Sequence, residues 1–325
     1  MKKTAIAPAN IAFIKYWGKK DEVLRLPSNG SISMNLSGLT TTTTVEFSKS
    51  YKKDLVTIDG LVKADEEKRV IEHLDRIRNM AGIFQKAKVV SLNSFPASTG
   101  LSSSASGFAA LTLSAASAAG LNLSERNLSI LARLASGSAC RSIPSGFVEW
   151  LEGTDNNSSY AVSLHPPDFW NIVDIVVIVS REKKEVPTSA GQKYASTSPF
   201  FPVRLSRIND KINQIKTFMK EKNFLRFGEL VEAEALEMHA IMLTSQLPLI
   251  YWQPETLLIM KAVQNWRKDG LLVYFTVNTG QDIHLICEKE FIKRVKTKLK
   301  KIKEVKNIIV NYTAEGAKNI GRHLF

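Results

Sequence analysis

The sequence predicts an α+β protein. Strand-like and helix-like stretches follow one another in unequal blocks, not in strict alternation. The run IVDIVVIV at 172–179 is apolar except for Asp174, as in a strand buried on both faces. Near residue 180 the texture changes, and helical periodicity dominates 203–243. The 325 residues are therefore expected to form two lobes, 1–180 and 181–325.

Residues 40–47, TTTTTVEF, are β-branched and predict a strand. Asp59-Gly60, flanked by residues 54–58 and 61–63, is a hairpin turn signal. From Asp65 to Met80 the residues Val70, Leu74, Ile77 and Met80 share one helical face. Residues 88–92 predict a short strand, and Ser124 caps a helix running to Ala135. Pro254 opens another helix, which Gly270 ends. Strands are expected at 271–277, 283–287 and 307–312, with a basic helix over 293–306.

Composition excludes several classes. Hydrophobic residues make up 44 %, enough for a full core and against disorder. The net charge is +13, and much of the excess lies in KRVKTKLKKIKEVK at 293–306. Val295, Leu299 and Ile302 recur there at helical spacing, so the run reads as a solvated helix face. No RNA-binding aromatic motif or zinc finger accompanies it, and no nucleic-acid partner is expected. A positive field also draws in small anionic substrates. The N-terminal apolar run is interrupted by Pro8, Asn10 and Lys15, against a signal peptide. No stretch approaches the roughly 20 apolar residues of a membrane span. Cys140 and Cys287 form no disulfide framework, which fits a reducing compartment, and a cytoplasmic protein is expected.

Three segments suggest chemistry. PASTGLSSSASG at 96–107 leads from a strand into an Ala-rich helix. Small residues there let backbone N–H groups and the helix N-terminus reach an anion. No Walker Gly-Lys-Ser/Thr is present, and tight helix packing explains the same composition. Lys15 and Lys19 flank Tyr16, Trp17 and Gly18, which suits an anion pocket or an edge strand with a snorkelling lysine. Arg141 follows Ser136-Gly137-Ser138-Ala139-Cys140, and its planar fork suits either a carboxylate ligand or a structural ion pair. His239 reads as a helix-interface histidine, and no metal-ligand spacing occurs.

The pattern P-x-x-x-G-L-x-S-S-A at 96–105 resembles the phosphate loop of the superfamily of galactokinase, homoserine kinase, mevalonate kinase and phosphomevalonate kinase. APANIAFIKYWGK at 7–19 with LPSNGSIS at 26–33 narrows the resemblance to the mevalonate diphosphate decarboxylases. So do SGSACRSIPSGFVEW at 136–150 and MHAIMLTSQLPLIYW at 238–252 leading to YFTVNTGQDIHL at 274–285. The resemblance implies a two-lobed GHMP-kinase-like fold, an α/β lobe followed by a ferredoxin-like α+β lobe. It implies ATP-dependent decarboxylation of mevalonate 5-diphosphate to isopentenyl diphosphate through 3-phosphorylation, with ATP, its Mg²⁺ and a homodimer. The alternatives are a mevalonate 5-phosphate decarboxylase and a 3-kinase that does not decarboxylate.

The resemblance also assigns residues. Tyr16, Trp17, Gly18 and Lys19 contact the substrate phosphates, with Asn10 and the catalytic Lys15 beside the reacting group. Ser136, Gly137, Ser138, Ala139, Cys140 and Arg141 hold the substrate, with Arg141 on its carboxylate. Ser98, Gly100, Leu101, Ser102, Ser103 and Ser104 hold the nucleotide, and Arg69, Thr188 and Ser189 reach substrate. One departure matters. In Thr276-Val277-Asn278-Thr279-Gly280-Gln281-Asp282, Asn278 occupies the family's catalytic Asp position. An amide accepts a hydrogen bond but takes no proton at neutral pH. The chain is thus an inactive variant, a subtype with another base or substrate, or one in which Asp282 supplies the carboxylate.

Overall fold

The structure is a computed structural model that describes residues 1–62, 64–95, 103–180 and 186–325. Strand β1 (Lys2–Ile14) is buried without a break from Ala7 to Ile14. A hairpin of β2 (Lys19–Asp21) and β3 (Leu26–Pro27) leads to β4 (Ser31–Ser48), which pairs antiparallel with β1. After β5 (Leu55–Ile58), Asp59 and Gly60 turn the chain with φ of 52° and 76°. Helix α1 (Ala64–Ala81) then returns it to β6 (Lys86–Asn93), parallel to β5. Helices α2 (Ser103–Ala118) and α3 (Glu125–Ala135) pack over this sheet, joined to it through a core that includes Ala7, Val45, Ala109 and Ala132. Small Ala side chains on both surfaces let backbone approach backbone. Ser124 caps α3, its Oγ accepting from Asn127 N at 3.3 Å.

Strands β7 (Phe147–Trp150) and β8 (Ala161–His165) extend the first sheet beside β4. β9 (Ile172–Ile178) begins the second sheet, with all seven residues buried. A single turn, α4 (Thr188–Gly191), precedes α5 (Phe201–Lys220), α6 (Phe224–Thr244) and α7 (Pro254–Lys268). The remaining elements are β10 (Tyr274–Thr276), β11 (Ile283–Glu288), α8 (Ile292–Leu299), β12 (Asn307–Tyr312) and β13 (Lys318–Ile320). The first sheet runs β13-β1-β4-β6-β5, and the second runs β10-β11-β9-β12. Two strands thus sit across the expected division at 180: β9 pairs into the second sheet and β13 into the first. One apolar cluster joins the sheets, from Ile11, Phe13 and Ile32 to Ile175, Leu285 and Phe227.

Some elements differ from expectation. The helical stretch 203–243 is two helices, broken at Lys222 (φ 52°) and restarted by Asn223, whose Oδ1 accepts from Arg226 N. The basic helix stops at Leu299, because tighter turns over 299–305 carry the chain into β12. The strand expected at 271–277 is limited to β10.

A buried ion network fixes the end of β1. Lys15 N donates to Glu234 Oε1 at 3.0 Å, and Lys15 O accepts from Asn29 and Arg204, each at 2.9 Å. Arg204 and Glu234 form an ion pair with no side-chain exposure, and Lys211 adds a second cation at 3.0 Å. Burial pushes the Glu234 carboxyl upward, but Arg204 and Lys211 outweigh it and hold the group below its ordinary value. Glu234→Ala leaves Arg204 buried without its main partner. We expect a loss of about 3–5 kcal/mol in denaturant unfolding.

Candidate active site

A cavity of about 650 Å³ lies between the lobes, within the range of small-molecule sites. Its walls come from many elements. The first lobe supplies Asn10, Lys15, Tyr16, Lys19, Arg25 and Arg69, then Ser103 and Ser104 at the start of α2. The 3₁₀ turn at Gly137–Ser142 and its preceding residue add Ser136, Gly137, Ser138 and Arg141. The second lobe supplies Thr188, Ser189, Gln192, Met238, Asn278 and Thr279.

Arg141 is 4 % exposed. Its Nε and Nη2 donate to Asn10 Oδ1 at 3.3 and 3.0 Å, and Nη1 donates to Ser31 Oγ at 2.7 Å. Among the described residues no carboxylate pairs with it. Burial lowers its pKa, yet a guanidinium stays charged at any ordinary pH. A buried cation with only neutral protein partners, opening on a cavity, favours an anionic ligand group.

Lys15 is 1 % exposed, and its Nζ donates to Asn278 Oδ1 at 3.1 Å. Burial draws the amine down to about 7; Arg141 adds to this and Glu234 opposes it. Beneath Asn278, His239 Nε2 donates to the Asn278 carbonyl at 2.9 Å, and its ring stacks on Trp252. Burial drops the His239 pKa to about 3, so the ring is a neutral support for the Asn278 backbone.

Ser103 and Ser104 open α2 against the cavity, where helix N–H groups lack intrahelical partners. Ser136 Oγ donates to Ser104 Oγ at 3.4 Å, linking this helix end to the Arg141 turn. Ser98, Gly100, Leu101 and Ser102 lie outside the described residues. Tyr16 meets Trp150 edge-on at 4.6 Å, and a Cβ on Gly137 would crowd the Tyr16 ring at 3.0 Å. Burial raises the Tyr16 pKa, so its hydroxyl is a neutral donor. Thr188 and Thr279 hydroxyls meet at 2.5 Å.

Arg25 is a wall residue absent from the sequence expectations. It lies in the turn between β2 and β3 with φ 50°, where no periodicity marks it. Its Nε donates to Leu134 O at 3.0 Å, while Arg69 Nη2 donates to Ala135 O at 3.2 Å. Burial and then Arg25 lower the Arg69 pKa, as expected for two guanidiniums gathered on one wall. Arg25→Ala is expected to raise the KM for a phosphorylated substrate roughly tenfold or more with less effect on kcat, which steady-state kinetics would check.

Other expected residues do not line the cavity. Trp17 has no exposure and packs among Met238, Ile241, Met242 and Leu249, so it is a core residue. Gly18 forms a turn with φ 90° against Phe201. Ala139 and Cys140 face apolar clusters, and burial pushes the Cys140 thiol up to about 12. Asp282 is 3 % exposed, and its Oδ1 accepts from Val179 N at 3.0 Å beyond the end of β9. The Asp282 carboxylate is thus tied to the second sheet, outside the residues that line the cavity. Among the described residues no His, Cys, Asp and Glu cluster could hold a metal ion.

Residues 7–161 match the family model described as diphosphomevalonate decarboxylase-like N-terminal domain. Residues 174–322 match the mevalonate 5-diphosphate decarboxylase C-terminal domain. The diphosphomevalonate decarboxylase of Candida albicans is 36 % identical over 292 residues, covering 84 % of this chain and 81 % of that protein. The chain belongs to the diphosphomevalonate decarboxylase family. Its fold accordingly matches the mevalonate diphosphate decarboxylase of Staphylococcus aureus with a TM-score of 0.94, 36 % identity and 98 % coverage of each chain. Another decarboxylase structure, solved with MVAPP, AMPPCP and magnesium, also gives 0.94 at 36 % identity and 99 % coverage of each. The chain is also similar to the phosphomevalonate decarboxylase of Haloferax volcanii, at 31 % identity over 297 residues that cover 91 % of both chains. The α+β, two-lobed GHMP-kinase-type fold is therefore that of this decarboxylase family.

Proposed function

We propose that the protein converts mevalonate 5-diphosphate to isopentenyl diphosphate, carbon dioxide, ADP and phosphate in an ATP-dependent decarboxylation. The observation that carries this reading is the buried Arg141, which shares its cavity with the N-terminus of α2. One feature suits a carboxylate and the other a nucleotide's phosphates. The residues present fit ATP and its Mg²⁺. Ser103 and Ser104 would hold the nucleotide phosphates, and the ion supplies charge neutralisation there. Arg141 orients the substrate carboxylate through a guanidinium already braced by Asn10 and Ser31. Tyr16, Lys19, Arg25 and Arg69 gather donors for the substrate's own phosphate end, with Thr188 and Ser189 on the opposite wall. Phosphorylating the tertiary hydroxyl makes it a leaving group, and loss of carbon dioxide relieves the positive character left at C3.

The test is incubation with ATP, Mg²⁺ and one phosphorylated mevalonate at a time. Carbon dioxide with ADP supports the lyase, ADP alone marks a 3-kinase, and neither product rejects both. Mevalonate 5-phosphate is a second substrate reading, favoured by the similarity to the Haloferax volcanii protein. The two buried, free cysteines suit work in the cytoplasm. A homodimer is read from the family resemblance alone.

A further inference from the structure

A hydroxyl that attacks phosphorus must give up its proton, and Asn278 cannot take it. We propose that Lys15, held by Asn278, is the general base that removes the proton from the substrate's 3-hydroxyl. This assignment rests on the decarboxylase reading and deepens it.

Geometry selects Lys15. Its side chain is buried at the cavity wall, and Asn278 Oδ1 accepts one of its N–H bonds at 3.1 Å. An amine held that way, when neutral, still has a lone pair. A carboxylate at 278 would pair with Lys15 and keep it cationic, whereas an amide orients it without adding charge. Asp282 is bound to Val179 N, and Asp65, which lines the cavity at the first turn of α1, is exposed to solvent, away from the Lys15–Asn278 pair. Glu66, on the same turn of α1, lines the Arg69 side of the cavity.

The charges facing Lys15 are compatible with a neutral amine. Glu234 on α6 is committed to Arg204 and Lys211. Asp174 on β9 bonds His284 Nδ1 at 2.9 Å and Asn311 Nδ2 at 3.0 Å. Arg141 and Arg204 both favour the neutral amine, and His239 is uncharged. Together with burial they place the amine near neutrality. In the step, the 3-oxygen forms a bond to the γ-phosphorus and the bond from that phosphorus to the β,γ-bridging oxygen breaks. The electron pair leaves with ADP, and the hydroxyl proton passes to Lys15, which becomes an ammonium and later returns it to water.

The test combines titration with two variants. The ε signals of isotopically labelled Lys15, assigned by their loss in Lys15→Met, should titrate with a midpoint near 7. In the same protein kcat/KM should rise with pH along a limb at that position. Lys15→Arg keeps a cation that cannot deprotonate and should lose about 10²–10⁴-fold in kcat. Asn278→Asp should move the limb to acid by more than one pH unit, the new carboxylate taking over as base. A Lys15 amine still protonated above pH 9, with a flat profile and full activity in Lys15→Arg, overturns the base assignment and leaves the decarboxylase intact. Absence of turnover with both phosphorylated mevalonates overturns the decarboxylase reading and the base with it.

Discussion

Arg141→Ala is expected to lower kcat/KM by roughly 10²–10⁴-fold, the cost of leaving a buried anion without its charged partner. Among the described residues the guanidinium makes three hydrogen bonds, all to the neutral groups Asn10 and Ser31. Those partners fix its plane and leave its charge for the ligand. Removing it also strips the bracing from Asn10, whose Nδ2 donates to Ser142 Oγ at 2.8 Å and to Ser138 O at 3.2 Å. The substitution therefore loosens the turn that faces the helix N-terminus. Arg141→Lys separates charge from shape. A lysine restores the charge without the planar fork, so it should recover only part of the loss. Steady-state kinetics with saturating ATP would check both. A fall below tenfold in Arg141→Ala would mean that the substrate carboxylate binds elsewhere. Nucleotide binding measured alone should change little, because Ser103 and Ser104 lie on a different element.

Much of the fold is written in periodicity and caps. The strand at 172–178, the Ser124 cap and the helix between Pro254 and Gly270 follow from local chemistry. β1 is harder to see, because burial on both faces erases alternation and Pro8 interrupts the run. The structure accommodates Pro8 at a register shift between Pro8 and Ala9, where a missing N–H is tolerated. The break between α5 and α6 has no Gly or Pro to announce it, only Lys222 in a left-handed conformation. In the site, motif neighbours diverge. Tyr16 lines the cavity while Trp17 turns into the core below α6. Adjacent motif residues need not point the same way, so resemblance locates the segment better than the side chain. Arg25 shows the converse, a wall residue whose turn position carries no pattern.

Lys15→Met should gain stability while losing turnover, and the gain should depend on pH in a defined direction. Burial lowers the amine from its ordinary 10.5 to about 7 in the folded protein. Between those values the unfolded chain binds more protons than the folded one, so the parent protein becomes more stable as pH rises through that window. Below about 7 both states carry the charge, and the folded state bears the full desolvation cost. Methionine removes that cost and fills a similar volume. The lost hydrogen bond to Asn278 Oδ1 returns part of it, leaving a net gain on the order of a few kcal/mol. The Tm advantage should therefore be several degrees at pH 6 and should shrink toward zero near pH 10.5. Equal Tm values for the two proteins at pH 6 would show that Lys15 is solvated in the folded state. A buried lysine is kept at such cost when the chemistry requires it, and activity in the same variant should fall by about 10²–10⁴-fold.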